Sequence, residues 1–197
     1  MEFEEIYEEF QPKILNYLAR LMGTNEAEDM AQVVFAKVSR GLASFKGQSK
    51  LSTWVYRIAT NTAIDRLRSS AHSQASGRTS LEDSAEVANN TPTITQADTS
   101  TDQKVIRKEM SDCVREYVDR LPPDHRTVLI LKEIEGFKNR EIADILDISL
   151  ENVKIRLHRA RARLKRELDD GCEFYQNEEG ALACDRKPIF IEPKKPH

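Results

Sequence analysis

No stretch of this 197-residue sequence approaches the roughly 18 consecutive apolar residues that a membrane-spanning helix needs, so membrane insertion is not expected. A basic secretory leader is missing too: the chain starts Met1-Glu2-Phe3-Glu4-Glu5, acidic where a signal peptide would be positive. Cysteine is scarce. Its three residues, Cys113, Cys172 and Cys184, do not make a disulfide framework, and a reducing, cytoplasmic setting is the expectation. Aromatic residues are only 7% of the chain, with one Trp. There is no glycine-rich phosphate loop, metal-ligand cluster or nucleophile arrangement, so no enzymatic activity, cofactor or metal is expected.

What is present fits a soluble helical protein: 39% hydrophobic and 32% charged residues. The net charge of −3 argues against nucleic acid on its face, but it hides an asymmetry. Residues 150–168 hold seven Lys or Arg against Glu151 and Glu167, a local +5, whereas residues 1–10 hold five Glu and no base. A concentrated basic face matters more for phosphate binding than the whole-chain sum, although many such runs are only solvated helix faces.

Apolar residues recurring at three and four predict an all-α protein of two small helical domains joined by a flexible linker, the second with a helix-turn-helix. In the first domain, residues 1–70, Phe3 to Leu21 form one stripe, and Pro12 either kinks that helix or marks a fresh start. A second helix is expected to be capped by Asn25, with Glu28 reaching back, and to bury Ala27, Met30, Val34, Val38 and Leu42. The loop Ser44–Lys50 leads to a third helix, from Leu51 or Ser52 to Arg68, in which Trp54 is read as core rather than as a base-stacking ring. Residues 71–102 are rich in Ser, Thr, Ala, Asn and Gln and cannot offset their ordering entropy by burial, so they read as linker, with a helical turn near Leu81–Val87.

Periodicity returns in residues 103–170. One stripe runs from Val105 to Val118, and a helix from Pro122-Pro123 to Glu135 ends at Gly136. A short helix Asn139–Leu146, the turn Asp147-Ile148-Ser149 and a long basic helix Leu150–Leu168 then have the shape of a DNA-reading helix-turn-helix. Ile142, Ala143 and Leu146 are expected to face inward on the first helix, and Val153, Leu157, Ala160, Leu164 and Leu168 on the second. That leaves Glu151, Lys154, Ile155, His158 and Arg159 for a major groove, with Ser149, the helix cap, also counted among the DNA-binding residues. Lys154 and Arg159 can donate to guanine edges or phosphates, and Ile155 can pack on a thymine methyl. Arg156, Arg161 and Arg163 are assigned to the DNA backbone.

Two blocks resemble bacterial RNA polymerase sigma factors. Ala27-Glu-Asp-Met-Ala-Gln-Val-Val-Phe and Phe45 to Arg68 are similar to the domain that binds polymerase and the −10 element. Leu121-Pro-Pro-Asp-His-Arg-Thr-Val-Leu, Glu141 to Leu146 and Val153 to Leu164 are similar to the domain that binds the −35 element. The short segment between the blocks points to the extracytoplasmic-function (ECF) group. The resemblance implies core RNA polymerase, promoter DNA and an anti-sigma factor as partners. It assigns Asp29 and Gln32 to the polymerase, although Asp29 also suits a helix first turn on dipole grounds alone. Phe45, Lys46 and Gln48 would line a pocket for a flipped −10 base, Asn61 would read a neighbouring base, and Arg57, Arg66 and Arg68 would hold phosphates. Glu82, Asp83 and Glu86 of the linker would enter the RNA exit path. One departure is Lys138, where family members often place a capping Ser or Thr, so Asn139 would have to substitute. The alternative function is a stand-alone helix-turn-helix regulator.

The tail, residues 171–197, is longer than a minimal sigma factor requires. Asn177-Glu-Glu-Gly180 is a turn signal for a small hairpin, in which Cys172 and Cys184, both even-numbered, could share a face. Their spacing matches no known metal knuckle; His158 and His197 are remote further ligands, and packing is preferred over metal or redox chemistry. Cys113, on an apolar stripe, is read as core.

Overall fold

The structure, a computed structural model, describes residues 2–75, 113–176, 180 and 182–187. The assigned linker 71–102, its acidic residues, the helical turn near Leu81 and His197 lie in whole or in large part outside the described residues. The chain divides into two compact units.

The first unit holds three long helices and the segment from Pro122 to Ala160. Helix α1, Phe3–Met22, buries Ile6, Phe10, Ile14, Tyr17, Leu18 and Leu21, the stripe expected from their spacing. Pro12 lies inside it and starts no new helix. It lies on the exposed face of the helix, where the lost backbone hydrogen bond costs least. Gly23 breaks the helix with a φ of 92° that disfavours a side chain.

Helix α2, Thr24–Leu42, begins one residue before the expected cap, so Asn25 sits in its first turn and caps nothing. Its buried set is Ala27, Ala31, Val34, Phe35 and Val38, while Met30 and Leu42 are half-buried. Helix α3, Leu51–Ala75, runs a turn or two past the expected Arg68. Three threonines are buried on it, and two are accounted for locally: Thr60 Oγ1 donates to the Tyr56 carbonyl at 2.6 Å, and Thr62 Oγ1 to Ile58 at 2.8 Å. Thr60 also shares a 2.7 Å hydrogen bond with the buried Tyr17 hydroxyl, which ties α1 to α3.

In the same unit, α5, Pro123–Leu129, passes into a π-helical turn, Ile130–Ile134, where Glu135 N donates back five residues to Ile130 O at 3.0 Å. Thr127 to Leu131 form a continuous buried run, and Gly136, at φ 75°, reverses the chain. Helix α6, Asn139–Leu146, follows. It buries Ile142 and Ile145; Ala143 and Leu146, expected inward, are only half-buried. The difference is a rotation of the apolar stripe by about one position, set by Ile145, which the sequence pattern left out. The first half of α7, Leu150–Gly171, buries Val153, Leu157 and Ala160 as expected.

The second unit comprises the helical residues 113–119 (α4), the end of α7 from Arg161, and an antiparallel hairpin of β1, Cys172–Gln176, and β2, Leu182–Arg186. The expected hairpin is present, with Cys172 opposite Arg186 and Phe174 opposite Cys184. Cys113, Tyr117 and Cys172 are its buried centre, with Leu164, Leu168 and Cys184 packed against them.

Candidate nucleic-acid interface

The helix-turn-helix is shaped by three local devices, two in its turn and one at the start of α6. Asp147 adopts a left-handed φ of 52°, which an Asx residue tolerates and which ends α6. Ser149 Oγ accepts from Asn152 N at 3.1 Å, the cap expected for α7. At the start of α6, where Lys138 offers no hydroxyl, Glu141 accepts from Lys138 N at 2.8 Å. Asn139 does not substitute: its Oδ1 is buried without a hydrogen bond. Glu141 also pairs with Lys50 at 2.8 Å. That ammonium, first, and the Lys138 amide hold its carboxyl below the usual glutamate value.

These caps aim α7. Glu151, Lys154, Ile155, His158 and Arg159 are all exposed over its first turns, opposite Val153, Leu157 and Ala160. Ile155 is 40% exposed, an apolar side chain offered to solvent in the middle of a polar row. Lys154 leans on Glu151 at 3.5 Å, an exposed pair that a phosphate or base can displace cheaply. Arg156 differs from its neighbours: it is half-buried and paired with Asp124 of α5 at 3.3 Å, so it braces the helix from behind.

The other expected DNA residues lie along α3 and the loop before it. Phe45 stacks on Trp54 with ring centroids 5.0 Å apart, and Trp54 is half-buried against Gly41. Lys46 and Gln48 are exposed on either side of Gly47, whose φ is 67°. Asn61, Arg66 and Arg68 are exposed, with Arg66 bonded to Glu26 at 2.9 Å. Arg57 is not open. Its Nε donates to the Asp144 carbonyl of α6 at 2.7 Å. Tyr56, next to it, donates to Glu135 at 2.6 Å and packs edge-on against Phe137, and Arg20 completes the Glu135 site at 3.4 Å. Lys50, Tyr56 and Arg57 thus seat the helix-turn-helix on α3, an arrangement the sequence did not announce because each of its contacts joins residues some 80 to 90 positions apart.

Asp29 and Gln32 are both exposed on α2. Gln32 borders a groove of about 540 Å³ between α1 and α2, whose walls include Phe3, Tyr7, Glu28 and Phe35. Tyr7 is edge-on to Phe35 at 4.8 Å and 44% exposed.

A helix-turn-helix with an exposed basic recognition face, beside a three-helix domain, defines a DNA-reading transcription protein. Residues 6–73 match the family model for sigma-70 region 2 and residues 111–164 that for sigma-70 region 4. The chain is 36% identical to the RNA polymerase sigma factor YlaC of Bacillus subtilis over 84% of its own length and 91% of the relative's. It is 34% identical to the ECF sigma factor SigW of the same organism, over 85% and 89%. In fold it is similar to the sigma factor RpoE of Bartonella quintana, solved in complex with the anti-sigma factor NepR, with a TM-score of 0.65, 23% identity and coverage of 85% and 96%. The chain belongs to the ECF group of RNA polymerase sigma factors. It binds core RNA polymerase and directs initiation at promoters through −35 and −10 elements, as a member of a family of non-enzymatic initiation factors. A stand-alone regulator would have no use for region 2, which removes that alternative. Among the described residues no helix is long and apolar enough to cross a membrane.

Proposed function

We propose that the −35 element is read by the face of α7 formed by Glu151, Lys154, Ile155, His158 and Arg159. The observation that carries this is their common exposure over the first turns of a capped helix whose opposite side is buried. Lys154 and Arg159 donate to base edges or phosphates, Ile155 takes a thymine methyl, and Ser149 and Arg156 fix the helix rather than touch bases. The −10 element falls to α3 and its loop. Phe45, Lys46 and Gln48 form the pocket for an extruded base, Asn61 reads beside it, and Arg57, Arg66 and Arg68 hold phosphates. Asp29 and Gln32 contact polymerase. The work divides between residues 1–70 and 103–170, with 71–102 as linker and 171–197 as an appended tail. The chain itself catalyses nothing, acts in the cytoplasm, and is held by an anti-sigma factor until needed.

Because Arg57 is engaged by α6, promoter binding requires the helix-turn-helix to leave α3 first. In vitro transcription from a cognate promoter with purified core polymerase tests the reading. Initiation should depend on both elements and fall when Arg159 or Asn61 is replaced by Ala. Initiation that survives both replacements unchanged would refute the assigned faces.

A further inference from the structure

The three cysteines of this chain, read from the sequence as one core residue and a packing pair, meet at a single point. Cys113 comes from α4, Cys172 from the junction of α7 and β1, and Cys184 from β2. Their three Sγ atoms all lie within 4.8 Å of one another. Cys113 and Cys172 are buried and Cys184 partly so. The hairpin register explains how two of them share a side: Cys184 pairs with Phe174, two residues from Cys172, so both project from the same face of the ribbon.

We infer that Cys113, Cys172 and Cys184 form a thiolate site for a thiophilic divalent ion, with Zn²⁺ the expected occupant. The geometry favours a metal over a disulfide. A zinc–sulfur bond of about 2.3 Å in a tetrahedral site puts neighbouring sulfurs about 3.8 Å apart. The Cys113 and Cys172 sulfurs are 3.8 Å apart. A disulfide would use two thiols and leave the third unused, whereas three sulfurs within 4.8 Å of one another suit three metal bonds. On binding, each thiol releases its proton to solvent, and the hydrated ion sheds all but one of its waters as three sulfurs take their place. The fourth position is left for water or an exogenous ligand.

The surroundings suit such a site. Three thiolates on a divalent ion carry a net charge of −1, and the Arg186 guanidinium lies beside Cys113 to offset it. Arg186 is held in turn by Glu116 at 2.7 Å. Tyr117 places its hydroxyl 3.6 Å from the Cys172 sulfur, where it can donate to a thiolate as an outer-shell partner. All of these groups sit in the second compact unit, so the ion would join α4, the end of α7 and the hairpin. A small unit whose buried centre, among the described residues, is this cluster gains from such a cross-link.

The test uses the full chain, purified reduced and anaerobically. Zn²⁺ should be retained at one equivalent per chain, and Co²⁺ should give thiolate-to-metal charge-transfer absorption with tetrahedral visible bands. Cys113→Ser is the decisive variant, because a site made by the hairpin pair alone would not notice it. Each of C113S, C172S and C184S should weaken Co²⁺ binding beyond the about 10–100-fold that loss of an outer-shell partner brings. The wild-type cobalt titration keeps the test meaningful even if a variant misfolds. The inference is overturned if the wild-type chain takes up no metal, if C113S binds as the wild type does, or if air converts Cys113 and Cys172 to a disulfide in a chain with no metal affinity.

Discussion

The Tyr56 hydroxyl donates to the Glu135 carboxylate at 2.6 Å and so fastens the π-helical turn to α3. Glu135 has only 11% of its side chain exposed and receives Arg20 on its other oxygen. Burial and this carboxylate together push the Tyr56 hydroxyl pKa well above its ordinary value, so it stays a donor at any working pH. Tyr56→Phe should therefore remove a charge-assisted bond and lower stability by about 1.5–3 kcal/mol. If the seated arrangement must open before promoter binding, transcription should be unchanged or raised. Thermal unfolding and in vitro transcription measured together check this: lower stability with lower initiation would mean that the contact serves the active form.

The Lys50–Glu141 pair makes a second prediction, with a defined pH sign. The Glu141 pKa is depressed in the folded chain, by Lys50 first and by the Lys138 amide second. Its contribution is therefore present above the unfolded glutamate value and is lost as pH falls through the lower folded value. Lys50 is 69% exposed, so solvent screening limits the pair to at most about 1 kcal/mol. Lys50→Ala should be less stable than the wild type at pH 7, and the difference should shrink as pH falls below the ordinary glutamate value and close once it is below the depressed folded one. A gap that persisted unchanged into acid would locate the effect elsewhere than in this ion pair.

Arg159 and Arg156 are three positions apart on one basic helix and should behave differently. Arg159 is exposed, and its replacement by Ala should weaken promoter use by about 1–3 kcal/mol per lost base contact while leaving the melting temperature in place. Arg156 is half-buried on Asp124, so Arg156→Ala should lower the melting temperature first. Competition binding with wild-type and altered −35 sequences, beside a melting curve for each variant, separates the two. Equal loss of sequence discrimination in both would refute the division.

The distinction between those two arginines was not legible from charge alone, and it marks the limit of periodicity. Spacing of three and four found α1, α6, α7 and the inward rows Val153, Leu157 and Ala160, because local propensity and burial agree there. It missed the start of α2, where a left-handed Gly23 rather than the polar Asn25 begins the helix. It missed Ile145 because a short helix offers too few turns to fix the phase of its stripe. The seat of α6 on α3 and the meeting of three cysteines depend on pairs far apart in sequence: Arg57 with Asp144, 87 positions away, and Cys113 with Cys172, 59 away. No local pattern encodes such pairs. Cys113 looked like core because it is core, and its second role needs the hairpin to be seen.

Gly171, the last residue of α7, carries a prediction about how tightly that hairpin is packed. A Cβ built there would lie 2.0 Å from the Tyr117 hydroxyl oxygen and 2.8 Å from its Cζ, far inside contact distance. Tyr117 is 7% exposed, so its ring has little room to withdraw. Gly171→Ala should gain up to about 1 kcal/mol of helix propensity. It should lose about 1–3 kcal/mol to overpacking, so the net sign is destabilising. Adding Tyr117→Phe removes the nearest atom but leaves Cζ in the way, and should restore only part of the loss. A double-mutant cycle by chemical denaturation reads the coupling. If Gly171→Ala proved stabilising by its propensity gain alone, Tyr117 would have to be free to swing away, and it would no longer be a fixed outer-shell partner for Cys172.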